Sequence, residues 1–275
     1  MSAAPGRLPA QGLHLRWPAE DIWQAVAPAW PDFSVEILPE IDSSNSELLR
    51  RARAGRTEPT LLVAEHQTAG RGRQGKPWQS QRDVRAGDAL AFSLGLSLRL
   101  ADWSGLSLAV GVAVARALHP AIRIKWPNDL WVDGRKLAGI LIETAGLPGP
   151  QGPGAARYAV IGIGINVLPR AADGLATPPA CARELLPDID APAVLGRMAP
   201  ALAAALQRFE AEGFAAFRDD FAALDLLRGR AVNLSDGRHG VALGVGDDGG
   251  LRVQVAGEPE PVHVTSADIS VRPAA

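Results

Sequence analysis

Three cationic side chains stand within six residues in the stretch Gly70-Arg71-Gly72-Arg73-Gln74-Gly75-Lys76, interleaved with three glycines. Glycine lets a backbone bend where a Cβ would clash and lets a ligand lie against bare amides. Successive N–H groups in such a loop can form an anion-binding concavity. Arginine adds planar, bidentate, permanent positive charge matched to phosphate and carboxylate. The stretch reads as a mobile anion clamp. The Walker A pattern G-x-x-x-x-G-K-[ST] is absent. A Gly/Arg-rich surface loop or an RNA-binding tail has the same composition, so the clamp needs support from elsewhere in the chain.

Residue usage supplies some. Of 28 basic residues only three are lysines, Lys76, Lys125 and Lys136. Asparagine occurs four times, at Asn45, Asn128, Asn166 and Asn233. All three lysines and three of the four asparagines fall between positions 45 and 166. A chain that otherwise avoids these residues keeps them where no substitute has the same chemistry. Ser43-Ser44-Asn45 adds a cluster of small donors and acceptors. At a helix N-terminus such a cluster can cap the helix, or hydrogen-bond a neutral polar head such as a ureido or amide group.

The elements that must carry these residues follow from periodicity. Residues 20–30 have acidic residues first and apolar spacing near 3.6, predicting a short helix with Trp23 and Trp30 as core anchors. Ser44 with Glu47 reads as a capping box opening a helix to about Arg53. Thr60–Glu65 is a buried strand leading through His66 and Gln67 into the Gly/Arg loop, and Ala89–Leu98 is another strand. Ser104–Leu118 has helical spacing. In the run from Ile122 to Leu141, Asp133-Gly134 between two β-rich segments signals a type I′ hairpin. Pro127 ends the preceding strand, leaving Asn128 and Asp129 at a bend and Lys136 at the start of the returning strand. Tyr158–Asn166 is a buried strand whose Gly162 and Gly164 imitate a dinucleotide fingerprint; no helix follows at the right place, so a Rossmann reading is rejected. Pro192–Gly213 and Phe214–Leu227 are helical, and residues 168–191 are irregular. From Arg228 onward, five short β-rich runs alternate with Asp-Gly turns, predicting a small five-stranded barrel.

The chain has 275 residues with 47% hydrophobic content, enough for one large domain or two smaller ones. We expect an N-terminal extension over 1–38 with one short helix, a catalytic domain over 39–227 and the small barrel over 228–275. The fold class is α+β, a mixed sheet flanked by helices. Net charge is −2, which argues against a non-specific nucleic-acid binder. The single cysteine, Cys181, excludes an intrachain disulfide and fits a reducing cytoplasm. No apolar run suggests a signal peptide or a membrane span.

Five blocks, Asp42–Asn45, Gly70–Gly75, Lys125–Asp129, Arg135–Gly139 and Gly162–Asn166, together resemble the biotin protein ligases, that is, biotin–[acetyl-CoA-carboxylase] ligases. Their order and spacing agree over about residues 39–168, and the last 48 residues resemble the family's C-terminal SH3-like barrel more loosely. The resemblance implies a class II synthetase-like fold. It implies two reactions: biotin carboxylate attacks the α-phosphate of ATP to give biotinyl-5′-AMP, and a lysine of the biotin carboxyl carrier protein then takes the biotinyl group. It implies that Ser43, Ser44, Asn45, Gln67, Arg71, Gly72, Arg73, Lys136 and Gly139 surround biotin. Arg73, Lys76, Trp78, Asn128 and Asn166 would hold ATP and the adenylate, with Trp78 stacked on adenine. Lys136, Arg73 and Arg71 would be the catalytic cations, and Asp129 the partner of Mg2+. About 38 residues leave no room for the DNA-binding domain of the family's regulatory members, so a ligase-only type with no DNA or membrane partner is expected; homodimerisation stays open. The chain departs from the family pattern at Ser44 (often Thr), at His66 (often Tyr), at Asp88-Ala89 and in a longer loop over 79–87.

Three other readings compete. A lipoate ligase on the same fold would need a longer apolar tunnel, whereas the polar Ser43-Ser44-Asn45 cluster suits a ureido ring. A non-enzymatic biotin or nucleotide sensor would have no use for Lys136 and Asp129. A nucleic-acid binder would need a more basic chain.

Overall fold

The computed structural model describes residues 15–78, 86–149, 152, 154–170, 179–265 and 271–273. In chain order the elements are helix α1 (Ala19–Val26), strand β1 (Ser34–Ile41), helix α2 (Ser44–Arg53), strands β2 (Thr60–Gln67) and β3 (Ala89–Leu98), helix α3 (Leu106–Leu118), strands β4 (Arg123–Lys125), β5 (Asp129–Val132), β6 (Arg135–Gly146) and β7 (Arg157–Asn166), helices α4 (Ala191–Glu212) and α5 (Arg218–Leu224), and strands β8 (Ala231–Leu234), β9 (His239–Val245), β10 (Leu251–Val255), β11 (Val262–Val264) and β12 (Val271–Pro273). The first seven strands form one mixed sheet in the order β1-β2-β3-β7-β6-β5-β4. Only the β1–β2 pair is parallel.

Side-chain alternation gives this sheet two unlike faces. Leu61, Val63, Leu90, Phe92, Leu94, Ile140, Ile161, Ile163 and Ile165 belong to a large core that also takes in α1, α3, α4 and α5. The opposite face carries a small cluster of Leu48 and Leu49 from α2 with Leu62, Tyr158 and Val160. That cluster covers one end of the face and leaves the other end for a cavity. Directly opposed residues share a face, so β3, β7 and β6 present the rows Ala91–Gly164–Gly139, Ser93–Gly162–Leu141 and Gly95–Val160–Glu143 on this side.

The turn between β5 and β6 is the expected two-residue hairpin, with Asp133 at φ 46° and Gly134 at φ 73°, both left-handed as a type I′ turn requires. The α-helices begin and end near the predicted positions, with two corrections. Ser43, not Ser44, caps α2: its backbone is extended and its Oγ accepts from the Ser46 N–H at 3.4 Å. Glu47 does not complete a capping box; it pairs with Arg50 and Arg51, which frees Ser44 for another network. Trp23 is not a core anchor. On the eight-residue α1, Ile22 and Val26 take the buried face at spacing i, i+4, and Trp23 is left 44% exposed with its indole N–H donating to Phe33 O. Trp30 is partly buried against the core as expected. Residues 1–14 of the expected N-terminal extension and most of the 79–87 loop lie outside the described residues.

The terminal strands form an antiparallel sheet in the order β11-β10-β9-β8-β12. Closure of the expected barrel would need β11 and β12 to pair, and no such pairing occurs among the described residues. This sheet docks on the larger one through its Gly246–Gly250 turn. The buried Trp126 indole N–H donates to Gly249 O at 2.9 Å, and Gly249 lies against Gly105 at the start of α3. Trp126 precedes a cis peptide to Pro127, so the same residue anchors the bend that carries Asn128 and Asp129.

Two measurements check this account. Trp126→Phe leaves the Gly249 carbonyl buried without a donor, and should cost about 1–3 kcal/mol in chemical unfolding. Asp42 is held down to about 2, from an ordinary 3.8, chiefly by hydrogen bonds from Arg50 at 2.7 and 2.9 Å. A depressed carboxylate stabilises the fold fully above its unfolded value, and that contribution is lost as pH falls through its folded value. The start of α2 should therefore weaken between about pH 3.8 and 2. Asp42→Asn should remove that part of the acid dependence in circular dichroism.

Candidate active site

A cavity of about 300 Å³ opens on the bare end of the large sheet. It is lined by Ser43, Ser44, Asn45 and Gln67 at one end and by Lys125, Asn128, Asp129 and Lys136 at the other, with Arg71–Trp78 across it. The floor is the glycine row. A Cβ on Gly162 would fall 2.1 Å from Asn45 Oδ1, and one on Gly164 would fall 2.2 Å from Trp78 Cε2. Gly139, opposite Gly164, would bring a Cβ to 3.3 Å from both Trp78 Cζ3 and Lys136 Nζ. The glycines that imitate a dinucleotide fingerprint thus serve another purpose, which is to let Asn45 and Trp78 lie directly on the sheet.

The Asn45 end is a hydrogen-bond chain. Gln67 Oε1 accepts from Ser44 N–H at 2.8 Å, and Ser44 Oγ lies 3.1 Å from it. Ser93 Oγ is 2.7 Å from Ser44 Oγ and 2.6 Å from Asn45 Oδ1. Asn45 Oδ1 can only accept, so the single Ser93 hydroxyl proton goes to it, and the Ser44 hydroxyl has Ser93 Oγ and Gln67 Oε1 as its two acceptors. The Asn45 amide in turn donates to Leu141 O at 3.2 Å and to Glu143 Oε2 at 3.0 Å. Ser43, Ser44, Asn45, Gln67 and Ser93 are all buried. This is a short polar pocket with fixed donor and acceptor directions.

The opposite end is charged. Lys136 Nζ is 2.7 Å from Asp129 Oδ1 and 5.8 Å from the centre of the Trp78 ring. Arg73 donates to Asn128 Oδ1 at 3.2 Å, and the Asn128 amide donates to Ile140 O at 2.7 Å. Burial lowers the Arg73 pKa, and the nearby Asp129 charge opposes that shift. Arg71 pairs with Glu143 instead. The Gly/Arg stretch is a small hairpin, closed by Gly72 N–H to Lys76 O at 2.7 Å and Trp78 N–H to Gly70 O at 2.9 Å. A cationic, half-enclosed surface of this kind suits two anionic groups brought together.

Of the residues singled out in the sequence, Ser43, Ser44, Asn45, Gln67, Arg71, Gly72, Arg73, Lys76, Trp78, Asn128, Asp129, Lys136 and Gly139 line the one cavity. Asn166 does not. It is buried behind Lys136, with its amide donating to Ala180 O at 3.0 Å and Lys136 O at 3.4 Å and its Oδ1 accepting from Arg170. Sequence reasoning missed Ser93 and Glu143. Both interrupt apolar runs within their strands, and both fall on the face that carries the glycine row. Among the described residues no group of three or more His, Cys, Asp or Glu side chains could cage a metal.

The description "Biotin/lipoate A/B protein ligase family" belongs to a family model that matches residues 39–166. The chain is 34% identical over 241 residues to the bifunctional ligase/repressor BirA of Escherichia coli (strain K12), covering 83% of this chain and 71% of that one. It is 34% identical over 226 residues to the biotin–[acetyl-CoA-carboxylase] ligase of Paracoccus denitrificans, covering 78% of this chain and 92% of that one. The solved biotin protein ligase from Aquifex aeolicus in complex with biotin and ATP superposes with a TM-score of 0.70 at 26% identity, covering 87% of this chain and 99% of that one. With the cavity, the sheet and these likenesses in agreement, the chain belongs to the biotin protein ligases of the biotin/lipoate A/B protein ligase family.

Proposed function

We propose that this protein is an ATP-dependent ligase that activates biotin as biotinyl-5′-AMP and transfers it to a lysine of the biotin carboxyl carrier protein of acetyl-CoA carboxylase. The observation that carries this reading is a short polar pocket and a cationic centre sharing one cavity. The pocket suits biotin's ureido ring, which offers one strong acceptor and two donors, and Ser43, Ser44, Asn45 and Gln67 supply partners. Such a ligand aims its carboxylate at Lys136.

In the first step a biotin carboxylate oxygen bonds to the α-phosphorus, and the bond to the bridging oxygen breaks to release pyrophosphate. Both reactants are anions. Lys136 and Arg73 offset their repulsion and stabilise charge on the pentavalent phosphorus. Lys136 stands between the carboxylate and the α-phosphate; Arg73 and Lys76 face the phosphates, and Trp78 offers its ring to adenine. Asn128 orients Arg73. In the second step the acceptor amine attacks the acyl carbon, loses its proton, and AMP leaves. Closure of the Gly70–Lys76 hairpin keeps water from the anhydride.

The site suits Mg2+ in the manner typical of nucleotide enzymes, where one or two carboxylates and the substrate phosphates hold the ion. Asp129 is the carboxylate at the cationic end. When bound, the ion supplies further neutralisation of phosphate charge. Asn166 supports the site from behind through Lys136 O. The carrier protein is the macromolecular partner, and a reducing cytoplasm suits the buried free thiol of Cys181.

Incubation with biotin, ATP, magnesium and a carrier domain should add one biotinyl group to a single carrier lysine in intact-protein mass spectrometry. An unmodified carrier contradicts the reading. Lys136→Ala should slow single-turnover adenylate formation by about 10²-fold or more, as loss of one transition-state donor does. Gly162→Ala pushes Asn45 off the floor and should weaken biotin binding by about 10²-fold in calorimetry. Gly146→Ala, with nothing within 4 Å of its added Cβ, should bind like the parent.

A further inference from the structure

We propose that Glu143 is a positioning residue, a latch that holds the Gly70–Lys76 hairpin over the biotin end of the cavity through Arg71. The inference rests on the cavity being the biotin site and adds a residue and a role to it.

Glu143 stands on β6 two residues beyond the lining residue Leu141 and on the same face. Its two carboxylate oxygens serve different parts of the chain. Oε1 takes the Arg71 guanidinium from the hairpin, and Oε2 takes the Asn45 amide from the start of α2 at 3.0 Å. One carboxylate therefore ties strand, loop and pocket together. It also fixes the Asn45 amide, which donates to Leu141 O at 3.2 Å as well and whose Oδ1 accepts from the Ser93 hydroxyl at 2.6 Å. The Glu143 side chain is 27% exposed and that of Arg71 44%, so the pair is neither fully solvated nor locked away. Such a pair is strong enough to bias a loop and weak enough to open.

The same geometry separates Arg71 from the other cations. Arg73 reaches Asn128 and feels the charge of Asp129, and Lys136 pairs with Asp129, at the far end of the cavity. Arg71 is bound at the Asn45 end. Its role is to close the loop, not to stabilise charge on the phosphorus. Loss of the latch should therefore speed ligand release and leave the handling of ATP unchanged.

The test measures dissociation of isotopically labelled biotin from the full chain carrying Glu143→Gln, Arg71→Gln or both. Glu143→Gln is isosteric and keeps an acceptor for Asn45, and Arg71→Gln leaves the strand untouched. Each single variant should release biotin about tenfold faster, the effect of losing one charge-assisted bond. The double variant should be no faster than the faster single, and the KM for ATP in pyrophosphate exchange should stay within about twofold. Unchanged release in Glu143→Gln, a double effect equal to the product of the singles, or an effect confined to the KM for ATP overturns the latch. If the parent chain retains no labelled biotin, the cavity reading itself falls and the latch with it.

Discussion

The alternation of glycine and isoleucine along β7 is the constraint on which the cavity depends. A strand sends successive side chains to opposite faces. Ile161, Ile163 and Ile165 fill the large core, so the strand holds its place in the sheet, while Gly162 and Gly164 leave the other face bare. Any Cβ there would meet Asn45 or Trp78 at about 2 Å. The same strand thus anchors the fold on one side and makes room for chemistry on the other. Glycine weakens an isolated strand, having no side chain to pack. Here the loss is offset because β7 is central, paired along its length with both β3 and β6.

Charge is arranged around that floor in balanced pairs. Lys136 is neutralised by Asp129, so a resident carboxylate sits where a substrate anion is to be received, while Arg71 is held by Glu143 at the Asn45 end. Exchange of one anion for another costs less than stripping water from a bare cation. Arg73 is partly buried near Asp129, where its field is less screened than at the open surface. The polar end follows the complementary rule, with directional bonds among neutral side chains that end on the Glu143 carboxylate. A neutral ring with an anionic tail matches this polarity from one end to the other.

Much of this was legible in the sequence because local chemistry decided it. The Asp133-Gly134 hairpin follows from the need for positive φ at both positions, and the β8–β9 and β9–β10 turns follow from Asp236-Gly237 and Asp247–Gly250. Five blocks in register pointed to the family and gathered two thirds of the lining residues. What was missed depended on long-range contacts. Ser43 rather than Ser44 became the cap because Gln67 and Ser93, far along the chain, engage Ser44. Ser93 and Glu143 interrupt apolar runs of β3 and β6, and only strand register shows that both face Asn45. Asn166 ends β7 as expected, yet it turns to the Ala180 carbonyl and not to the cavity, because residues 179–184 fold back beside Lys136. Trp23 follows helical periodicity but misses the core by one position.

The central claim is that this cavity joins the carboxylate of biotin to the α-phosphate of ATP. Exchange of isotopically labelled pyrophosphate into ATP reports that bond's formation and reversal without the carrier protein. The account predicts exchange that requires biotin and does not respond to lipoate. Exchange driven by lipoate, or indifferent to biotin, would contradict it.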